Sequence, residues 1–229
     1  DHDWTIYKKS KTQDTFQAYP NNDALSRIQE ITVLKNGLIW ISYEGLNLYE
    51  FDPEKETYSL ISLLENEIMT MLEDEDGKVW MGMNGGGILI YNPLEGEWDG
   101  FKNEPENHNS LPNNTVRNIV NGPNNTLMIS TNFGLAFLDK KTWNSQEQNL
   151  QILYHDIGNP QSISSNMAFF AFEDRSHVYW IGTSDAGINI WNQKAETFHH
   201  VSQTSSNKDG LNSNVIWGFE EDEKGSLEA

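Results

Sequence analysis

A hexad built on glycine, an aliphatic residue and tryptophan returns along this chain with its surroundings intact. It reads Gly37-Leu38-Ile39-Trp40-Ile41-Ser42, then Gly77-Lys78-Val79-Trp80-Met81-Gly82, then Asn125-Thr126-Leu127-Met128-Ile129-Ser130, then His177-Val178-Tyr179-Trp180-Ile181-Gly182. Equivalent positions are 40, 48 and 52 residues apart. Shortly after each hexad a glycine opens a second apolar run: Gly45-Leu46-Asn47-Leu48-Tyr49, Gly87-Ile88-Leu89-Ile90-Tyr91, Gly134-Leu135-Ala136-Phe137-Leu138 and Gly187-Ile188-Asn189-Ile190-Trp191. A period of this length marks a repeat architecture, in which each unit buries its apolar face against its neighbours.

Each unit extends upstream to an Asn or Ser followed by a strand-like stretch. These stretches begin at Ser26, Asn66, Asn114, Asn166 and Asn214, and three of them run into Glu-Asp pairs (Glu73-Asp74, Glu173-Asp174, Glu221-Asp222). A unit therefore reads as strand, acidic turn, Trp strand, polar loop, Gly strand, Asn or Pro turn and an aromatic outer strand, the order of one propeller blade. No segment carries a sustained helical period, which disfavours helical solenoids. Apolar residues on both sides of the Trp strand, as in Leu38-Ile39-Trp40-Ile41, suit a strand covered by sheets on both faces. The expected fold is all-β: a β-propeller segment with four full four-stranded blades at about 23–62, 63–109, 110–161 and 162–209, flanked by partial blades at 1–22 and 210–229. The innermost strands are expected near 28–32, 67–72, 115–120, 167–172 and 215–220, with Trp40, Trp80, Met128 and Trp180 between blades. The two partial blades point to a piece of a larger propeller, of about seven blades.

The formal net charge of −19, with only three arginines in separate repeats, argues against nucleic acid or an anionic membrane surface as partner. A solvated acidic exterior accounts for it. No cysteine is present, so neither disulfides nor thiolate chemistry can operate. No run is long enough for a membrane helix, so no direct membrane insertion is expected, and a start at Asp1 without Met reads as a mature or excised segment.

Three motifs together carry a family resemblance: Ser110-Leu111-Pro112-Asn113-Asn114-Thr115-Val116, the run from Glu73 through Asp76-Gly77-Lys78-Val79-Trp80 to Gly82, and the closing Gly-Ile-x-Ile-Tyr/Trp-Asn at 87–92 and 187–192. The chain resembles the two-component-regulator propeller repeat of bacterial hybrid two-component systems, especially those of gut Bacteroidetes that detect oligosaccharides. Met128 in the Trp slot, Gly122 in the acidic turn and Arg175-Ser176-His177 in place of Asp-x-Gly depart from the pattern, but the flanking elements stay in register. The resemblance implies a periplasmic input segment, joined to the rest of a sensor protein whose kinase lies elsewhere. It implies no catalysis and no cofactor in this segment, and an oligosaccharide or related small molecule as ligand.

In a propeller, the loop leading to the innermost strand and the loop between the second and third strands open on one face. Loops 23–26, 64–66, 110–114, 162–166 and 211–214 should share that surface with the second set. The candidate ligand-binding residues are Tyr43, Glu44, Asn84, Arg117, Asn132, Phe133, Phe169, Asp185 and Trp217, a mixture of aromatic faces and planar hydrogen-bonding groups suited to sugars. One column stands out: Gln29, Met69, Arg117, Phe169 and Trp217 occupy the same place in successive inner strands, between positions that stay apolar. They either set specificity or fill the wide end of the funnel.

His199-His200 is not expected to bind metal, because neighbours on a strand face opposite sides. Asn84-Gly85-Gly86-Gly87 lacks the Lys and helix of a phosphate loop and is read as a turn. A second function class is an enzyme on the same architecture, a lyase or hydrolase resembling the streptogramin-inactivating propellers, which need a His base and a metal near the channel. None of the six histidines falls in an inner strand. A protein-interaction platform is the third. Apolar surface around Trp4 or Trp217 at the severed blades is expected to favour self-association, which sedimentation would detect.

Overall fold

The computed structural model describes residues 5–9, 15–20, 27–143, 148–192, 194, 197–203 and 210–229. Among the described residues, six antiparallel sheets follow one another along the chain. The first pairs β1 (Ile6–Lys9) with β2 (Phe16–Tyr19). Blade one contains β3 (Ile28–Val33), β4 (Ile39–Tyr43), β5 (Asn47–Asp52) and β6 (Thr57–Leu63). Blade two contains β7 (Ile68–Glu73), β8 (Val79–Met83), β9 (Gly87–Asn92) and β10 (Glu97–Phe101). Blade three contains β11 (Val116–Asn121), β12 (Thr126–Thr131), β13 (Gly134–Asp139) and β14 (Gln151–Leu153), with a short 3-10 turn at Pro123–Asn125. Blade four contains β15 (Ala168–Glu173), β16 (Tyr179–Thr183), β17 (Ile188–Asn192) and β18 (Thr197–Val201), and the last sheet pairs β19 (Glu220–Glu221) with β20 (Leu227–Glu228).

In every full blade the strands lie in sequence order, so each is a meander closed by short hairpins. The first strands of neighbouring blades, β3 with β7, β7 with β11 and β11 with β15, touch one another, which puts them innermost. This is a β-propeller segment with four complete blades and a two-stranded sheet at each end. Trp4 and the stretch 21–26 lie outside the described residues.

The apolar mass sits between blades rather than within one. Trp40 of blade one packs in a cluster with Ile68, Met71, Val79 and Met81 of blade two. Trp80 joins Val116, Ile119, Leu127 and Ile129 of blade three, and Met128 joins Ala168, Ala171 and Ile181 of blade four. Those three residues are at most 3% exposed. Gly82 is required by the same interface, since a Cβ there would stand 2.6 Å from Val116 Cγ1.

Two expectations are corrected at the last sheet. The strand expected over 215–220 is paired only at Glu220 and Glu221, opposite Glu228 and Leu227. Residues 215–219 have no ladder partner among the described residues. Trp180 is half-buried instead of buried, because the sheet beside it offers far less surface than a full blade.

Each inner strand of the four full blades also carries a β-bulge that skips one residue in the pairing with its neighbour: Gln29, Met69, Arg117 and Phe169. The residue after the bulge can reach the next inner strand. Asn118 Oδ1 accepts the Ala171 N–H at 2.9 Å, and the Glu30 carboxylate accepts the equivalent N–H of Met71. Burial pushes the Glu30 carboxyl from its ordinary 4.5 up to about 7, against the Met71 hydrogen bond, which lowers it. A raised carboxyl pKa favours the folded chain below 4.5 and loses that advantage as pH rises through about 7. In urea titrations, the stability difference between the native chain and Glu30→Gln should therefore move against the native chain from pH 4.5 to 8, and a constant difference would contradict this.

Candidate functional site

The two loop sets converge on one end of the blades, as hydrogen bonds between them record. The residue after each second strand donates its N–H to the residue just before the inner strand or its bulge: Glu44 to Arg27 (2.9 Å), Asn84 to Glu67 (2.8 Å), Asn132 to Thr115 (3.2 Å) and Ser184 to Met167 (3.1 Å). The Asn residues that open the inner strands of blades three and four tie adjacent blades together. Asn114 accepts the Gly87 N–H at its carbonyl and the Asn103 N–H at Oδ1, and Asn166 does the same for Gly134 and His155. Asn214 repeats the pattern with Gly187 and Gln203. These amides are therefore engaged in joining blades.

The variable column coincides with the bulges. A bulge turns one residue out of the ladder and re-aims its side chain, which is why bulges occur beside functional sites. Three consecutive members of the column meet. The Arg117 guanidinium lies 5.0 Å from the Phe169 ring centroid, and the Phe169 ring lies 5.5 Å from that of Trp217. Arg117 Nε donates to Asn132 Oδ1 at 2.7 Å, which fixes the guanidinium plane from the loop side. The result is a ladder of amide, guanidinium, phenyl and indole. Its outer end is open, since Trp217 is 71% exposed, while Phe169 is 8% exposed and forms the backing. Cation–π contact and the Asn132 bond hold Arg117 in place, and among the described residues no hydrogen bond engages its Nη donors.

Asn132, Arg117, Phe169 and Trp217 are thus brought together. Phe133 is exposed on the same loop and packs against Tyr154 at 5.8 Å, an aromatic partner that sequence reading missed because it lies in a connection without a repeat position. Glu44, Asn84 and Asp185 are exposed on their own loops. Glu44 pairs with Arg27 Nε at 3.4 Å, and Asn84 Nδ2 donates to Glu67 Oε2 at 3.1 Å. Tyr43 corrects the expectation: it is 1% exposed and packs edge-on against Tyr49 at 5.7 Å, in the cluster that includes Tyr19 of the first sheet. Both faces of β4 are covered, and the cluster with Tyr19 on one of them takes the Tyr43 ring, which leaves only Glu44 exposed on the loop.

Three of the histidines serve local structure. His155 Nδ1 and His200 Nε2 lie 2.8 Å from the carbonyls of Ile163 and Ser162 respectively, and His177 Nδ1 lies 2.7 Å from Glu173 Oε1. His177 also adopts φ 61° in the turn position where the equivalent residues are Gly37, Gly77 and Gly225.

Propeller geometry of this kind defines a class of ring-built, loop-faced binding scaffolds. Residues 62–85 match the family model described as two component regulator propeller, so this stretch is similar to that repeat. Among solved structures, PorZ, a surface component of the type-IX secretion system of Porphyromonas gingivalis, is similar with TM-score 0.69 and 13% identity, over 91% of this chain and 32% of its own. Virginiamycin B lyase from Staphylococcus aureus is similar with TM-score 0.64 and 14% identity, over 89% of this chain and 65% of the lyase. The extracellular domain of a protein described as a hybrid two component system, from B. thetaiotaomicron, has TM-score 0.51 and 16% identity over 91% of this chain and 38% of that one. At these identities the likeness establishes the propeller fold. The chain spans about a third of the length of the first similar structures. No curated protein matches it. Among the described residues, no helix is long and apolar enough to cross a membrane.

Proposed function

We propose that this propeller segment is the ligand-sensing part of a hybrid two-component regulator, held outside the cytoplasm in the periplasm. It binds an oligosaccharide or related small ligand on the loop face and performs no catalysis itself. The observation that carries this reading is the Asn132–Arg117–Phe169–Trp217 ladder, built on the bulged positions of two successive inner strands and the equivalent column position of the last sheet, in a chain whose residues 62–85 match the regulator repeat. An open indole face stacks on the apolar face of a sugar ring, and a fixed guanidinium donates to ring hydroxyls or to the carboxylate of an acidic sugar. Engagement of neighbouring inner strands by one ligand would couple blades, which is how such a face transmits occupancy to the rest of a sensor protein.

The test is calorimetric titration of the chain with a panel of defined oligosaccharides. For the one that binds, Trp217→Ala and Arg117→Ala should each weaken affinity by about tenfold or more, with thermal unfolding nearly unchanged. Asp76→Ala, in a turn at the opposite end of blade two, should leave affinity untouched. Equal losses for both ends, or binding by no member of the panel, would count against the assignment.

A further inference from the structure

The gaps between blades are not closed alike, and the difference lies in the connecting segments. The connection between β10 and β11 covers fourteen residues (102–115), and so does that between β14 and β15 (154–167). Each lays an extended stretch into the gap ahead of it. In the second gap Asn109 accepts the Leu150 N–H at 2.9 Å, and Leu111, 0% exposed, enters the cluster formed by Ala136, Leu138 and Leu150. In the third gap Gln161 accepts the Phe198 N–H at 3.0 Å, and Ile163, also 0% exposed, joins Phe137 and Phe198. The two plugs share a pattern: an amide residue whose carbonyl bonds the outer-strand edge, then Ser, then a buried aliphatic side chain (Asn109-Ser110-Leu111 and Gln161-Ser162-Ile163).

The first gap has no such plug. Its connection, between β6 and β7, has only four residues (64–67). At that place lies a groove of about 680 Å³, lined by Leu63, Leu64, Met83, Leu89, Trp98 and Gly100 among others. Strand register shows that these are the counterparts of the residues the plugs cover. Leu89 and Gly100 pair as Ala136 pairs with Ile152 and Asn189 with His200. Trp98 stands opposite Tyr91 as Phe198 stands opposite Trp191, so its N–H faces out of the sheet toward the groove. Among the described residues no connection carbonyl meets it. Leu63 and Trp98 at the lip are 71% and 39% exposed.

We propose that the groove between blades one and two receives an extended segment of a partner polypeptide, with an Asn or Gln carbonyl bonding Trp98 N–H and a Leu or Ile two residues later filling the pocket. The chain's own second and third gaps are the template for that occupant. Strand-edge bonding supplies affinity and the aliphatic side chain supplies selectivity, as in other additions of a peptide to a sheet edge.

The experiment titrates the whole chain with a synthetic capped peptide of residues 107–113, Asn-His-Asn-Ser-Leu-Pro-Asn, and with the same peptide carrying Asp in place of Leu. Calorimetry should give a dissociation constant on the order of 0.1–1 mM for the first, and at least about tenfold weaker binding for the second. Leu63→Asp at the exposed lip should weaken the Leu peptide without moving thermal unfolding. Replacing residues 64–67 by the 102–115 connection should abolish binding. Equal binding of the two peptides, no binding at millimolar concentration, or binding indifferent to Leu63→Asp would overturn the proposal. Self-association that disappears in Leu63→Asp would assign the groove to a second copy of this chain and overturn the partner assignment.

Discussion

Truncation of Trp80 to Ala is expected to lower the unfolding free energy by about 3–5 kcal/mol, read from urea denaturation. The indole is 2% exposed and lies between blades two and three, among Val116, Ile119, Leu127 and Ile129, with Trp143 at 5.1 Å in an edge-on arrangement. Ile88 and Ile90 of blade two share this cluster, so two different sheets contribute the wall and the cavity left by the truncation cannot close by a side-chain shift on one strand. Trp180→Ala serves as the internal comparison. Its indole holds the equivalent place in blade four but is only half-buried, so its loss should cost clearly less. Equal effects for the two substitutions would mean that the blade interface contributes little at this position.

Replacement of Asp74 by Ala should cost about 2–4 kcal/mol, since it leaves three donors without their acceptor. The carboxylate is 4% exposed. Its Oδ1 accepts the N–H groups of Asp76 (3.0 Å) and Lys78 (2.9 Å), closing the turn, and its Oδ2 accepts the Trp80 indole N–H at 2.8 Å. Asp174 repeats the arrangement with Ser176, Val178 and the Trp180 indole. Burial raises the Asp174 carboxyl, but the hydrogen bonds from Trp180, Val178 and Ser176 and the nearby His177 outweigh it and hold it below its ordinary value. That contribution is therefore present above about pH 4 and fades as pH falls through the lowered pKa. A double-mutant cycle of Asp74→Ala and Trp80→Phe should show coupling of about 1–3 kcal/mol, and additive losses would refute the anchoring role.

This anchoring accounts for departures that looked unrelated in the sequence. Blade three has Met128 where the indole would be and Gly122 where the carboxylate would be, so donor and acceptor are lost together. Blade one keeps Trp40 but has Leu34 at the turn, and its indole bonds Glu50 Oε2 at 3.1 Å across the neighbouring strand instead. A side-chain acceptor is supplied wherever an indole N–H is buried or half-buried at this site, because an unpaired buried donor is costly.

The repeat period, the four strands of each full blade and the end on which their loops meet were all legible in the amino-acid order. They follow from local alternation and turn chemistry, which the chain states residue by residue. The column of Gln29, Met69, Arg117 and Phe169 was visible as variation, yet its bulge was not, since a bulge is a mismatch between two strands rather than a property of one. Likewise Tyr43 and Trp180 could not be assigned their burial from β4 or β16 alone. What covers a side chain in a propeller is the neighbouring blade, full beside Met128 and two-stranded beside Trp180. Even the difference between spacings of 40 and 48 residues stood in the sequence from the start, as a shorter connection. That it leaves an open groove beside Trp98, while Leu111 and Ile163 close the next two gaps, was decided by tertiary packing, because only the assembled sheets define the space a connection has to fill.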